Sequence, residues 1–314
     1  MLRAARILQA CPVTQAIHVE VEGRRLKLSN LDKIFYPAVG FTKAQVIDYY
    51  TRVAPALVPH MAGRPLTLKR YPDGVDGQFF YEKKCPSHRP EWFRTVSVWS
   101  GRNQDNINYC VVDDLPSLVW VANMASLELH TSLALAKDIH RPTMLVFDLD
   151  PGAPATIKEC CNVGLQLRDL FGELKLKCFA KASGSKGLQV YVPLNTPVTY
   201  EETKPLALAV AQELERKNPQ LVLSSMSKEL RKGKVFIDWS QNDDHKTTVC
   251  VYSLRARERP TVSAPVSWDE VEARHQGRRK DLSFTADEVL ARLDRDGDLF
   301  APVLKLKQRL PRFD

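Results

Sequence analysis

Thr143-Met144-Leu145-Val146-Phe147-Asp148-Leu149-Asp150-Pro151-Gly152 ends an apolar run in D-x-D and then breaks at Pro-Gly. In an extended strand, residues i and i+2 project from one face. Asp148 and Asp150 are therefore expected side by side at a strand end. Like charges at that spacing repel unless a cation lies between them or one takes a proton. A divalent metal held by oxygen ligands is the natural cation, and Mg²⁺ or Mn²⁺ suits phosphate chemistry. The same two residues also fit a solvated strand terminus, so the pair needs support from elsewhere in the chain.

Working outward, strands and helices are mixed without the regular alternation of a doubly wound sheet. Residues 19–28 alternate around Glu22-Gly23-Arg24 as a hairpin. Ser29-Asn30-Leu31-Asp32 reads as a turn or a helix start. Thr42 is placed to cap a helix through Val46, Tyr50 and Leu57. Residues 65–70 form a short strand, and Asp73-Gly74 and Asp76-Gly77 mark turns before Phe79-Phe80-Tyr81. Residues 118–129 read as one apolar helix, which puts His130 at a helix end. Helices are expected over 156–171 and 201–215, and capped starts at Ser267 and Thr285. Strands are expected over 145–149, 174–181, 188–192, 235–237 and 247–254. The pattern is α+β, with a central mixed or antiparallel sheet flanked by helices.

The chain has 314 residues, 44% of them hydrophobic, enough for a sizeable core. A formal net charge of +8 favours a polyanionic partner, and aromatics scattered among basic segments suit bases and phosphates. No apolar run approaches the ~20 residues of a bilayer span, so no membrane role is expected. Seven cysteines without a C-x-x-C pair fit reduced thiols in a cytoplasm. Cys85 and His88 have ligand-like spacing but no second pair nearby. Residues 1–18 read as a loosely held leader.

Three segments reinforce the D-x-D. Lys181-Ala182-Ser183-Gly184-Ser185-Lys186-Gly187-Leu188-Gln189 offers small residues whose backbone N–H groups can crowd an anion, with hydroxyls at Ser183 and Ser185 and a charge at Lys186. A triphosphate fits such a cradle, although the spacing is not that of a Walker A loop. Val235-Phe236-Ile237-Asp238-Trp239 closes a second apolar strand with an acid. A third carboxylate there would allow two metals ~3.5–4 Å apart. In Tyr252-Ser253-Leu254-Arg255-Ala256-Arg257, the two guanidiniums share a strand face and suit phosphate. Each feature alone also fits an ordinary turn, strand end or surface arginine.

In the order ELH, FDLDPG, SGSKGL, FIDW and YSLRAR, these motifs closely resemble the polymerase domain of bacterial ligase D and its stand-alone relatives, in the archaeo-eukaryotic primase superfamily. The resemblance runs from about Val19 to Glu270 and implies a primase-type fold with an RRM-like catalytic sheet. It implies template-dependent nucleotidyl transfer, often favouring ribonucleotides and Mn²⁺, with Asp148, Asp150 and Asp238 as ligands of two Mn²⁺ or Mg²⁺ ions. Ser183, Ser185 and Lys186 would hold the incoming NTP or dNTP, with His130 and Arg255 beside it.

Leu31-Asp32-Lys33-Ile34-Phe35-Tyr36-Pro37 and Phe41-Thr42-Lys43 resemble the family's pocket for the 5′-phosphate of a gap or break. Lys33 and Lys43 would clamp that phosphate, and Arg70 with Phe80 or Tyr81 would face the DNA. One departure stands out: relatives commonly carry His where this chain has Gln189, which can donate to a phosphate oxygen but brings no charge.

The resemblance thus implies one primase-polymerase domain over 19–300, with a 5′-phosphate-binding part over 19–110, a catalytic part over 111–300 and a tail over 301–314. It implies extension of 3′ ends at gaps or double-strand breaks in non-homologous end joining, in the cytoplasm at the nucleoid. Ku and a separate DNA ligase would be partners, since no ligase-type lysine motif or nuclease segment is evident. Within the same chemistry, short-gap filling in excision repair or primer synthesis is the alternative role. In other classes, a non-catalytic DNA-end scaffold would have no need of clustered acids, and a metal-dependent nuclease would have no need of a triphosphate cradle.

Overall fold

Two six-stranded sheets meet along the functional cleft. The computed structural model describes residues 10–12, 15–101 and 104–311. The first sheet runs in the order Val222–Leu223, Val235–Asp238, Met144–Pro151, Leu188–Pro193, Phe179–Ala182 and Pro265–Val266. All its pairings are antiparallel except the outer one between Val222–Leu223 and Val235–Asp238. The second has the order Thr248–Val249, Ser126–Thr131, Leu66–Arg70, Asp105–Cys110 and Thr95–Ser100. The short strand Phe80–Glu82 adds to Leu66–Arg70. This is the mixed α+β architecture the sequence implies.

The strand Met144–Pro151 sits inside the first sheet; Met144 to Phe147 are buried on both faces, and alternation begins at Asp148. Phe147 and Leu149 are fully buried, and the Phe147 ring lies 5.5 Å from Phe171 of helix α1 (Ile157–Glu173). Asp148 and Asp150 take the opposite face and are partly exposed. Helix α1 starts at a capping box, with the Thr156 hydroxyl accepting from the backbone and Glu159 accepting from Thr156 N at 2.7 Å. Its buried stripe of Cys160, Val163, Leu167 and Phe171 seals the sheet from behind. The carboxylates are thereby left facing the cleft.

The structure corrects four readings of the sequence. The apolar run over 118–129 is two elements: a helix ends at Asn123, Ala125 takes a left-handed φ of 62°, and Ser126–Thr131 is a strand. Leu127 and Leu129 then face the core while Glu128 and His130 share the other side, so His130 is a strand residue. The strand expected over 174–181 is shorter, Phe179–Ala182, because Lys175 turns the chain at φ 57°. The one expected over 247–254 breaks at Tyr252 (φ 66°), leaving Thr248–Val249 and Leu254–Ala256 in different sheets. Residues 15–18, read as the end of a leader, open the hairpin strand Gln15–Val21, which pairs with Arg24–Ser29.

Candidate active site

Three acids and an amide come together through strand register. Asp148 is the Cα partner of Asp238 on one side and of Gln189 on the other, and Gln189 is the partner of Lys181 on the next strand. Directly paired residues of antiparallel strands project from the same face. Asp238, Asp148, Gln189 and Lys181 therefore form one row across the sheet, with Asp150 one pleat along from Asp148. Burial pushes the Asp148 carboxyl up to about 7, with the charges of Asp150 and Asp238 adding to the rise and the Gln189 amide and Lys181 charge opposing it. Asp150 is raised too, by burial first. A half-buried acid pair whose ionisation is suppressed in this way is short of positive charge. Asp238 is braced by its own turn: it accepts from Ser240 Oγ at 2.6 Å and Gln241 Nε2 at 2.7 Å.

The loop over 183–187 closes the cleft beside the acids. The Ser183 hydroxyl accepts from Ser185 N (3.2 Å) and Gly187 N (3.1 Å), so it braces the loop from within. Arg255 donates to the Ser183 carbonyl at 2.6 Å, Thr261 Oγ1 donates to the Gly184 carbonyl at 2.6 Å, and Arg257 donates to Ser185 Oγ. Gly187 has no alternative residue: an added Cβ would sit 2.3 Å from the Leu149 carbonyl oxygen. The Lys186 side chain is exposed over the cleft edge and reaches the Pro151 carbonyl at 3.4 Å.

On the opposite wall, His130 Nε2 lies 3.1 Å from Glu128 Oε2. Burial pushes His130 down, with the Glu128 carboxylate opposing it, and Nε2 is the ring nitrogen turned to that carboxylate. Burial works to raise Glu128, but the His130 hydrogen bond and the charges of Arg255 and Lys69 outweigh it and hold the carboxyl at about 2. Glu128 is thus the ionised hub to which Arg255 (3.4 Å) and Lys69 (3.6 Å) are tied. The cleft between the walls measures about 460 Å³ and takes in Asp148, Asp150, His130, Ser183, Ser185, Lys186, Gln189 and Arg255 together. A larger hollow, about 720 Å³ between Thr196 and Pro311, is lined by Val198, Leu206 and Leu310 and holds no acid cluster.

Two regions flank the cleft. Lys69 Nζ lies 4.2 Å from the Phe79 ring centre and 5.5 Å from that of Tyr81. Phe79, Phe80 and Tyr81 are all exposed, an open aromatic face beside the nucleotide-sized cleft. Arg70 stacks 5.2 Å from Phe80 and is pinned by Glu82 at 2.8 Å and the Met124 carbonyl at 2.7 Å. Further off, Lys43 opens the long helix Lys43–Met61 and donates from Nζ to the Ser29 carbonyl at 2.7 Å. Burial lowers its pKa to about 8, with the charges of Lys33 and Arg70 adding to the effect. Lys33 is exposed and pairs with Asp73 at 2.7 Å.

Several contributors were not visible in the sequence. Glu128 is the clearest, and its period-two spacing to His130 was the available signal. Lys181, fully buried, had none. Thr67, buried and with no hydrogen-bond partner for its hydroxyl, stands opposite His130 on the cleft wall. Cys85 Sγ lies 2.7 Å from Cys110 Sγ, a contact between segments distant in sequence. Among the described residues, the group of potential ligands whose atoms all fall within 4.8 Å of one another is Asp243, Asp244 and His245, of which His245 lines the cleft.

An antiparallel sheet that presents acids from neighbouring strands next to a Ser-Gly-Ser-Lys loop defines the primase-polymerase class of catalytic domain. The comparisons agree. The family model described as LigD, primase-polymerase domain, matches residues 42–300, and the chain belongs to that family. The multifunctional non-homologous end joining protein LigD of Mycolicibacterium smegmatis is 45% identical over 284 residues, covering 89% of this chain and 36% of that protein. The bifunctional LigD of Bacillus subtilis is 30% identical over 289 residues, covering 91% of this chain and 46% of that protein. The chain therefore spans only about a third to a half of these relatives. A solved structure described as the polymerase domain from Mycobacterium tuberculosis ligase D in complex with DNA matches with a TM-score of 0.83 and 40% identity, over 89% of this chain and 98% of that one.

Proposed function

We propose that this chain is a template-dependent nucleotidyltransferase that extends DNA 3′ ends at gaps and double-strand breaks in non-homologous end joining, using NTPs in preference to dNTPs. The observation that carries the reading is the cross-strand register of Asp238 and Asp148, with Asp148 and Asp150 lining one cleft with Ser183, Ser185 and Lys186. Residues 19–300 act as one domain, with 19–110 giving the 5′-phosphate face and 111–300 the catalytic face. Ku and a DNA ligase are the partners this role calls for, acting in the cytoplasm. No helix among the described residues is long and apolar enough to cross a membrane.

Asp148, Asp150 and Asp238 are oxygen donors only, and the suppressed ionisation of the first two is what a hard divalent cation would relieve. They fit Mn²⁺ or Mg²⁺ as ligands of two ions. Bound there, the metal would lower the pKa of an attacking 3′-hydroxyl and steady charge on the transferring phosphoryl group. The chain's own groups do the rest. The Lys186 side chain and the loop N–H groups not donated within the loop receive the polyphosphate, while Arg255 and Arg257 hold the loop in shape. His130, with Nε2 committed to Glu128, keeps its other ring nitrogen for the nucleotide. Phe80 and Tyr81 offer π faces for stacking, which is sequence-tolerant.

Two expected results test these assignments. Gly187→Ala would drive a methyl into the Leu149 carbonyl and displace the loop by about an ångström, which should lower kcat/KM for the nucleotide by about a hundredfold in a gap-filling assay. Wild-type kinetics would remove the loop from the nucleotide site. For the 5′-phosphate, Lys43→Met should erase the preference for phosphorylated over unphosphorylated gapped duplex, measured by fluorescence anisotropy. Because the free Lys43 ammonium deprotonates near pH 8, the same preference in wild type should weaken as pH rises from 7 to 9 and strengthen at low salt. A preference that ignores both pH and Lys43 would place the clamp elsewhere.

A further inference from the structure

Lys181 ends the row that begins at Asp238. It is fully buried, yet its donors go to a carbonyl and a hydroxyl: Val249 O at 3.0 Å and Ser263 Oγ at 2.6 Å. Burying an ammonium is costly, and no turn, cap or surface contact accounts for this one. Its position does. Val249 belongs to the second sheet and is the Cα partner of His130. Gln189, the Cα partner of Lys181, reaches the neighbouring residue of that same strand, from Nε2 to Thr248 Oγ1 at 3.4 Å, and accepts from the Tyr191 hydroxyl at 3.3 Å. One ammonium and one amide thus grip the two-residue strand Thr248–Val249 from the catalytic sheet. On one side of the grip stands Asp148, in register with Gln189; on the other stands His130, in register with Val249.

We propose that Lys181, acting with Gln189, is a positioning residue for nucleotidyl transfer: it locks the acid-bearing sheet to the histidine-bearing sheet and so sets where Asp148 stands relative to the nucleotide cleft, without touching metal or nucleotide. Gln189 then serves Asp148 more than the triphosphate, since its side chain is engaged inward and the residue is 2% exposed. The inference rests on the proposed role of Asp148 as a metal ligand.

The decisive variant is Lys181→Met, which keeps the length of the side chain and removes charge and donors. Removing a positive charge near the Asp148 carboxylate would by itself tighten binding of a cation. Displacing the ligands would weaken it. Mn²⁺ titrated into nucleotide-free protein, followed by the paramagnetic resonance of the free ion, reads the difference. The expected result is Mn²⁺ affinity weaker by about tenfold and kcat lower by at least about tenfold, with gapped-duplex affinity within about twofold. Mn²⁺ affinity that is unchanged or tighter in folded Lys181→Met would overturn the inference, whatever its melting temperature. Should that variant fail to fold, Lys181→Gln, which keeps a donor toward Val249, is held to the same two readouts. An Asp148→Asn control with wild-type Mn²⁺ affinity would strike the metal assignment itself. Weaker binding in Asp148→Asn with wild-type binding in the Lys181 variant would strike only the positioning role.

Discussion

Asp148→Ala is expected to lower primer extension by at least about a thousandfold while gapped-duplex affinity stays within about twofold. Asp148 is the middle of the row, with Asp238 and Gln189 as its two Cα partners, so no neighbouring acid can take its place without a shift of register. The lysines and aromatics proposed to face DNA lie on other elements and keep their contacts. Stability should move the other way. The folded-state pKa of Asp148 is raised to about 7, above the ordinary carboxylate value, so the folded chain holds this proton more tightly than the unfolded one. The resulting stabilisation is fully present below the unfolded value and is lost as pH rises through 7. In chelator at pH 8, Asp148→Asn should therefore melt above wild type, and the advantage should shrink as pH falls below 7 and vanish only below the unfolded carboxylate value near 3.8. Mn²⁺ should raise the melting temperature of wild type more than that of the variant. Full extension by Asp148→Ala, or a variant that melts below wild type at pH 8, would contradict this picture.

Glu128→Ala should have the largest effect on stability. Glu128 is 2% exposed and compensates Arg255 and Lys69; it also accepts from Ala256 N at 3.2 Å and from His130. Removing it leaves two half-buried cations without their buried counter-charge, a change that costs about 2–4 kcal/mol and lowers the melting temperature on the order of 10 °C. Glu128→Gln should lie between, since it keeps an acceptor and loses only the charge. The sign with pH is opposite to that of Asp148. The Glu128 pKa is depressed to about 2, so its stabilisation is present above the unfolded value near 4.5 and is lost as pH falls through 2. The gap between wild type and variant should narrow in acid. Arg255, freed from Glu128, should also hold the 183–187 loop less firmly, and KM for the nucleotide should rise. A melting temperature within about 1 °C of wild type would show that the hub is not a hub.

The acids were legible in the sequence because each ends an apolar strand: FDLD before Pro-Gly, and FID before a polar turn. Strand periodicity alone puts Asp148 and Asp150 on one face; only the fold puts Asp238 in register with Asp148. The loop was legible from its glycines and serines, but not the direction of Ser183, whose hydroxyl accepts from its own loop. His130 was legible as a residue and misplaced as an element, because the apolar residues of 118–129 suit a helix until a non-glycine, Ala125, turns left-handed. The same cause hid the break at Tyr252. Phe80 is 44% exposed in the structure, since the short strand that carries it sits on a sheet edge. Lys181 was illegible in principle: a lysine in a basic chain reads as solvated, and only tertiary structure shows that its ammonium spans two sheets.

The central claim is that the cross-strand acids hold divalent cations beside a nucleotide's phosphates. Its most direct measurement is anomalous diffraction at the manganese edge from crystals grown with Mn²⁺, gapped DNA and a non-hydrolysable NTP. The expected result is manganese density between Asp148 and Asp150 and within ligand distance of Asp238, with the polyphosphate on the 183–187 loop. Manganese found instead at Asp243, Asp244 and His245 alone, with the row empty, would contradict it.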